Sequence, residues 1–140
     1  MALKVLIVDD SDVMRKVVKR VLGLSGFEIE LVYEAGNGDE ALMVLVESEV
    51  DFVLTDINMP VMDGVELLKA MKADERMSDI PAIIISTEGR SERIQEILAI
   101  GAAGYITKPF KPEDLRVVIQ DALGVDTDES YIEEPEDSDF

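Results

Sequence analysis

The feature that most restricts the fold of this sequence is an alternation of short apolar runs and helix-like stripes, repeated five times. The apolar runs are rich in β-branched residues, which is typical of strands buried on both faces of a sheet. They cover residues 3–8, 29–34, 52–55, 82–85 and 105–107. Five successive strand–helix units predict a parallel sheet covered by helices on both faces.

Each apolar run is followed by apolar residues at helical spacing. After Ser11, a typical helix N-cap, positions 14, 17, 18, 21 and 22 are apolar and form one face of a helix. The spacing predicts that four basic residues face away from the core: Arg15, Lys16, Lys19 and Arg20. The other helices are predicted over residues 39–47, 65–73, 91–100 and 113–123, with Pro112 in the first turn of the last.

The charge of the chain is unevenly distributed. Asp and Glu total 31 against 13 Lys and Arg, for a formal net charge of −18. Residues 125–140 contain acids and no base, so we predict a folded domain over residues 1–124 and an acidic tail, disordered in isolation, over 125–140. This balance argues against nucleic acid or an anionic membrane as a partner, because both are polyanions.

The chain has no Cys and no His. A disulfide, a thiol nucleophile and any imidazole base or ligand are therefore excluded. The longest stretch without charge, residues 97–107, is shorter than the ~20 residues of a membrane helix, and the apolar start is too short for a signal peptide. We expect a cytoplasmic protein whose chemistry uses carboxylates, hydroxyls, Lys and backbone amides.

Reactive or ligating side chains stand at the carboxyl ends of four of the five predicted strands. Sites in open α/β sheets form at this edge. The first strand is followed by two such residues, and the third, fourth and fifth by one each: Asp9 and Asp10, Asp56, Ser86, and Lys108. The second strand ends at residues 34–36 without a comparable pattern.

The three acids among these residues predict a divalent cation. Neighbouring strands lie ~4.8 Å apart, so Asp9, Asp10 and Asp56 crowd together if the first and third strands are adjacent. Two like charges ~4 Å apart repel by about 4 kcal/mol at an effective dielectric of 20. A lone Asp commonly caps a helix, but three acids beside a hydroxyl and a Lys favour a site. Oxygen ligands alone suit Mg²⁺ or Mn²⁺.

The same set of residues is suited to a phosphoryl group. Phosphoryl transfer depends mostly on positioning and charge neutralisation, and a cation, an ammonium and a hydroxyl supply both. Asp56 is the predicted nucleophile and forms an aspartyl phosphate, with Lys108 and Ser86 as the surrounding groups.

Four stretches, in this order, resemble the receiver domains of bacterial two-component response regulators, and most closely the stand-alone chemotaxis regulators of the CheY type. They are VDDS at 8–11, LTDINMPVMDG at 54–64, IST at 85–87 and GYITKPF at 104–110. The resemblance covers residues 3 to about 123. It implies a doubly wound, flavodoxin-like α/β/α fold with five parallel strands in the order 2-1-3-4-5.

The resemblance also implies the roles of the acidic residues. By position, Asp56 is the phosphoacceptor. Asp10, Asp56 and the Asn58 carbonyl hold Mg²⁺ directly, and Asp9 acts mainly through water. Lys108 contacts the phosphoryl group, and the Lys108–Pro109 bond is cis.

Four residues are implied to transmit or time the signal. The Ser86 hydroxyl moves to the phosphate and Tyr105 turns inward, which remodels the surface of the fourth helix, fifth strand and fifth helix. Asn58 and Glu88 flank the path of the hydrolytic water and tune dephosphorylation.

The implied function is that of a single-domain, monomeric response regulator, a signalling protein and not a conventional enzyme. Because the chain has no His, a histidine kinase or a small phosphodonor supplies the phosphoryl group. The output partner is a flagellar motor component or another signalling protein. A phosphorelay intermediate or a kinase-regulating receiver outside chemotaxis is the main alternative.

Three other classes fit the residues less well. An Asp-based phosphatase needs a second acid two residues after Asp56, where this chain has Asn58. A flavin-binding protein needs a phosphate loop where Asp9 and Asp10 would repel phosphate. A docking module that is never phosphorylated would not need the complete set of acids, hydroxyl and Lys.

Overall fold

The computed structural model describes residues 2–124, which form a five-stranded sheet and five helices. In chain order the elements are β1 (Ala2–Val8), α1 (Asp12–Gly23), β2 (Glu28–Ala35), α2 (Gly38–Glu47), β3 (Phe52–Thr55), α3 (Gly64–Ala73), β4 (Ala82–Ser86), α4 (Ser91–Ile100), β5 (Gly104–Thr107) and α5 (Pro112–Leu123). The predicted acidic tail, residues 125–140, lies outside the described residues, so the domain boundary near Gly124 stays a prediction.

All strands are parallel and lie in the order β2-β1-β3-β4-β5, which confirms the predicted fold class and strand order. The carboxyl ends of neighbouring strands are level: Val8 pairs with Thr55 and with Ala35, and Ser86 pairs with Thr107. The residues that follow these positions therefore emerge along one edge of the sheet.

The apolar core lies on both faces of the sheet because alternate residues of each strand point to opposite sides. On β1, Val5 and Ile7 pack with α1 and α5, whereas Leu6 and Val8 pack with α2, α3 and α4. All four side chains are at most 1% exposed. Burial of such a side chain contributes about 1.5–3 kcal/mol, so the two layers hold the sheet edge in a fixed position.

The helices begin where the sequence supplies caps. Ser11 Oγ accepts a 3.1 Å hydrogen bond from the Met14 N–H, which confirms Ser11 as the N-cap of α1. Asn37 and Asp63 cap α2 and α3 in the same way. Each helix has 10 to 12 residues, and none within residues 2–124 has the length and apolar character of a membrane span.

Most predicted element ends are correct to within one residue. β3 and α4 begin and end at the predicted positions. Ser86 was predicted to follow β4 and is instead its last residue, because it is still paired with Thr107 of β5.

Candidate functional site

Three acids meet at the carboxyl edge of the two central strands. Asp9 and Asp10 follow β1 directly, and Asp56 follows β3. Backbone bonds prolong the sheet there: the Asp9 N–H donates to the Ala35 carbonyl at 3.1 Å, and the Asp56 N–H donates to the Val8 carbonyl at 3.0 Å. Oxygen atoms of the three carboxylates lie within 4.8 Å of one another. The structure thus brings together the predicted all-oxygen donor set.

Asp9 is the most deeply placed of these acids, with 4% of its surface exposed. Burial raises the pKa of its carboxyl above the usual value, and the nearby charge of Asp56 raises it further. A 2.9 Å hydrogen bond from the Ser11 N–H and the charge of Lys108 oppose this rise in the Asp9 pKa. The cluster therefore favours additional positive charge.

Lys108 supplies one positive charge to the cluster. Its Nζ lies 3.7 Å from Asp9 Oδ2 and 4.0 Å from Asp56 Oδ2. These are ion-pair distances beyond the range of a hydrogen bond, so the ammonium spans both acids without being bound tightly to either. The Lys108–Pro109 bond is cis, as the resemblance implies. The Lys108 N–H donates to the Ser86 carbonyl at 2.8 Å.

Ser86 and Tyr105 lie next to each other at the ends of β4 and β5 and share residue 88 as a partner. Ser86 is buried, with 1% of its surface exposed. Its Oγ accepts a 3.1 Å hydrogen bond from the Glu88 N–H. The Tyr105 hydroxyl donates to the Glu88 carbonyl at 2.6 Å. Burial raises the pKa of Tyr105, and the nearby Ser86 hydroxyl opposes that rise. The Tyr105 ring packs against the core and is turned inward.

The two residues predicted to tune dephosphorylation lie in different environments. Asn58 is exposed in the loop after β3, two residues beyond Asp56. The Glu88 carboxylate binds Arg90, with Nε 2.8 Å from Oε1 and Nη2 3.2 Å from Oε2. This guanidinium lowers the pKa of Glu88. The role of both residues toward water stays a prediction.

Arg15 was predicted to face away from the core, and that prediction is wrong. Its side chain is 18% exposed and folds back over the end of β1, where Nη1 donates to the Asp9 carbonyl and Nε lies 3.0 Å from Glu34 Oε1. Helical spacing gives the direction of the Cβ atom only, and a long side chain can return toward the sheet. Glu34, at the end of the second strand, had shown no functional pattern in the sequence.

Gly64, at the end of the loop that follows Asp56, packs its backbone closely against Asp56 and Ile57. The Gly64 N–H donates to the Ile57 carbonyl at 2.8 Å, and a Cβ on Gly64 would lie 2.1 Å from the Asp56 carbonyl oxygen. Within the same loop, Val61 is 80% exposed and has a φ of 68°. The phosphoacceptor candidate is thus fixed by a close backbone approach that only glycine permits.

Comparison with known proteins gives one consistent family. The response regulator receiver domain family matches residues 5–120. The CheY homologue of Campylobacter jejuni is 39% identical over 132 residues, which cover 94% of this chain and 100% of that protein. CheY-3 of Vibrio cholerae is 43% identical over 114 residues, which cover 81% of this chain and 86% of that protein.

Solved structures agree with this family. The chemotaxis protein CheY4 of Vibrio cholerae has a TM-score of 0.76 at 38% identity, covering 88% of this chain and 100% of that one. The CheX–CheY–BeF₃–Mg²⁺ complex of Borrelia burgdorferi has a TM-score of 0.74 at 29% identity, covering 84% of this chain and 87% of that one. By sequence and by strand order, the chain belongs to the response regulator receiver domain family and is similar to CheY-type chemotaxis proteins.

Proposed function

We propose that this CheY-like receiver accepts a phosphoryl group on Asp56 and passes the signal to a partner protein through the surface of α4, β5 and α5. The observation that carries the proposal is the position of the Asp56 carboxylate, within 4.8 Å of two further acids and 4.0 Å from Lys108 Nζ. A carboxylate with acids for a cation on one side and an ammonium on the other is suited to receive an anionic group.

Asp56 is held in place for nucleophilic attack. Its Oδ1 accepts a 2.8 Å hydrogen bond from the Ile57 N–H, and Oδ2 is the oxygen nearer Lys108. In the proposed step, Asp56 Oδ2 forms a bond to phosphorus while the bond from phosphorus to the donor breaks, and the electron pair of that bond leaves with the donor. Lys108 offsets the negative charge of the incoming group. Because the chain has no His, the donor imidazole is that of a separate histidine kinase.

The carboxylate cluster fits Mg²⁺, with Mn²⁺ as a chemically similar substitute. The donor set consists of oxygen atoms only, and the charge of Asp56 adds to burial in raising the pKa of Asp9, so a cation between the two carboxylates would favour their ionised forms. Asp10, Asp56 and the Asn58 carbonyl are the proposed direct ligands, with Asp9 acting through water. Mg²⁺ held by these residues would neutralise charge on the phosphoryl oxygens. The Borrelia burgdorferi CheY structure contains BeF₃ and Mg²⁺, which supports the same chemistry here.

The proposed output is a change of conformation at Ser86 and Tyr105. The Ser86 hydroxyl contacts the phosphoryl group, and the position of Tyr105 reports that contact to the outer surface, where Leu98 and Val117 are 39% and 51% exposed. The phosphoryl group shifts a two-state population by binding one state better. Asn58 and Glu88 set the lifetime of the phosphorylated state. In this proposal the chain is a cytoplasmic monomer, and its partner belongs to the chemotaxis machinery, such as the flagellar motor switch.

Labelling with a small phosphodonor tests the acceptor. Native chain, Asp56→Asn and Asp79→Asn are incubated with acetyl phosphate, with Mg²⁺ or with EDTA, and the covalent adduct is read by intact mass. Asp79 is exposed and lies in the segment before β4, so it is a matched acid outside the site. We expect Mg²⁺-dependent labelling of the native chain and Asp79→Asn and none of Asp56→Asn. Equal labelling of Asp56→Asn, or an unlabelled native chain, would contradict the proposal.

Binding measurements test the output. Immobilised native chain is offered a flagellar motor switch protein and a histidine phosphotransfer protein, each with and without beryllium fluoride and Mg²⁺. We expect beryllium fluoride to increase binding of the motor protein severalfold. Increased binding of the phosphotransfer protein, with no gain for the motor protein, would instead support a phosphorelay intermediate.

A further inference from the structure

Glu88 contacts both proposed switch residues, Ser86 and Tyr105, and it also binds Arg90. Its N–H donates to Ser86 Oγ at 3.1 Å, and its carbonyl accepts the Tyr105 hydroxyl at 2.6 Å. Its carboxylate binds Arg90. The backbone of Glu88 therefore holds the two switch residues while its side chain is held by a third residue.

Arg90 holds the Glu88 carboxylate at three points. The Arg90 N–H and Nε donate to Oε1 at 2.9 and 2.8 Å, and Nη2 donates to Oε2 at 3.2 Å. Bidentate guanidinium–carboxylate bonds fix orientation as well as distance. Because the backbone and the side chain of Arg90 bind the same carboxylate, residues 88–90 form a closed local loop. Only Gly89 lies between them, without a side chain of its own.

We propose that Arg90 is a positioning residue of the switch: by fixing the Glu88 side chain, it places the Glu88 carbonyl where the Tyr105 hydroxyl binds it. Tyr105 is consequently biased inward before Asp56 is phosphorylated. That Tyr105 and Ser86 form the switch rests on the proposed function, whereas the effect of Arg90 on the Tyr105 conformer does not require phosphorylation.

The exposure of the pair determines the size of the effect. The Arg90 side chain is 79% exposed and that of Glu88 is 26% exposed, so water and salt weaken their attraction. Arg90 therefore biases the Tyr105 population and does not lock it. Lys at this position supplies the charge without the planar pair of donors, so Arg90→Lys retains only part of the bias.

Fluorine NMR of the unphosphorylated full chain measures this bias directly. The chain has three Tyr and no Trp, so 3-fluorotyrosine gives three signals, assigned by single Tyr→Phe variants. The observable is the ratio of inward to outward Tyr105 conformers. We expect Arg90→Ala to lower that ratio by about two- to five-fold, the range for loss of an exposed ion pair. The ratio in Arg90→Lys is expected to lie between those of the native chain and Arg90→Ala.

Arg76→Ala is a matched control. Arg76 grips Asp74 in the same local manner, with Nε 3.1 Å from Oδ1 and Nη2 2.7 Å from Oδ2, but it lies between α3 and β4, at the opposite edge of the sheet. Arg76→Ala is expected to leave the Tyr105 ratio unchanged.

A double-substitution cycle with Glu88→Gln shows whether Arg90 acts through the carboxylate. In the Glu88→Gln background, Arg90→Ala is expected to have little further effect on the Tyr105 ratio. An unchanged ratio in Arg90→Ala, or an equal decrease in both backgrounds, would overturn the proposal. Asp56 labelling is measured separately, so failure of the acceptor role and failure of the Arg90 role give different results.

Discussion

The hydroxyl of Tyr105 donates a 2.6 Å hydrogen bond to the main-chain carbonyl of Glu88, and this bond joins β5 to the segment between β4 and α4. The distance is at the short end of the O–H···O range. Because the Tyr105 ring also packs against the core, the bond and the packing favour the same inward conformer.

Tyr105→Phe removes this bond and keeps the ring. We expect the free energy of unfolding to fall by about 1 kcal/mol, the typical contribution of one intramolecular hydrogen bond. Urea denaturation followed by circular dichroism measures the change. Tyr33→Phe is the control, because no hydrogen bond of the Tyr33 hydroxyl is found within residues 2–124. Equal losses in the two variants would show that the Tyr105 bond contributes nothing specific.

Asp9→Asn should stabilise the protein at neutral pH when Mg²⁺ is absent. The folded-state pKa of Asp9 is raised by burial, so its favourable contribution is present below the unfolded-state pKa and is lost as pH rises through the folded-state pKa. At pH 7 the ionised carboxylate therefore opposes folding, and we expect the variant to have a higher free energy of unfolding than the native chain. The difference should disappear below the usual pKa of an Asp carboxyl.

Urea denaturation at several pH values, with Asp79→Asn as the exposed control, measures this dependence. A loss of stability in Asp9→Asn at pH 7, or a gain that is independent of pH, would be inconsistent with a carboxylate that opposes folding.

Gly64→Ala should destabilise the loop that positions Asp56. The added Cβ would lie 2.1 Å from the Asp56 carbonyl oxygen, so the backbone must move. We expect a loss of about 3 kcal/mol or more, at the upper end for overpacking, together with slower labelling by acetyl phosphate. Gly23→Ala is the counterpart, since nothing lies within 4 Å of its Cβ at the end of α1. The free energy of unfolding of Gly23→Ala should rise by about 0.5–1 kcal/mol. Equal melting temperatures of Gly64→Ala and Gly23→Ala would contradict the steric explanation.

Val61→Asn should increase stability. Val61 is the one non-glycine residue with positive φ among residues 2–124, and its side chain is mostly exposed, so little packing is lost. A left-handed conformation costs an ordinary residue about 1–2 kcal/mol, and Asn tolerates it better than a β-branched residue. We expect the free energy of unfolding, measured by thermal unfolding, to rise by about 1 kcal/mol. Val13→Asn, at an exposed position of α1, should change stability by less than about 0.5 kcal/mol, and an equal gain there would point to general solubility effects.

The sequence predicted the interior of the sheet better than its edge. β3 is buried at every position and stands out as an apolar run, so both of its ends were correct. β2 is an edge strand with several exposed residues, and it extends one residue beyond the predicted range at each end. The carbonyl of its last residue, Ala35, accepts a hydrogen bond from the Asp9 N–H, a contact that no pattern in β2 itself indicates.

The site was predictable where position alone decides it. Asp9, Asp56 and Lys108 come together because parallel strands end at one edge, and the topology follows from the alternation of elements. The contacts of Arg15 and Arg90 were not predicted, because the rotamer of a long side chain depends on its neighbours in the folded structure. The partner of Arg15 is distant in sequence, and the partner of Arg90 lies in a loop.

The backbone bond from the Lys108 N–H to the Ser86 carbonyl ties the ammonium and the hydroxyl of the site to one rigid frame. The main-chain positions of Lys108 and Ser86 keep a constant spacing as long as β4 and β5 keep their register, whereas the side chains stay free to change rotamer. A single-residue insertion or deletion in either strand would reverse the faces of the residues after it and dislocate both groups at once. The geometry of this site therefore depends on the lengths of β4 and β5 as well as on the side chains that they carry.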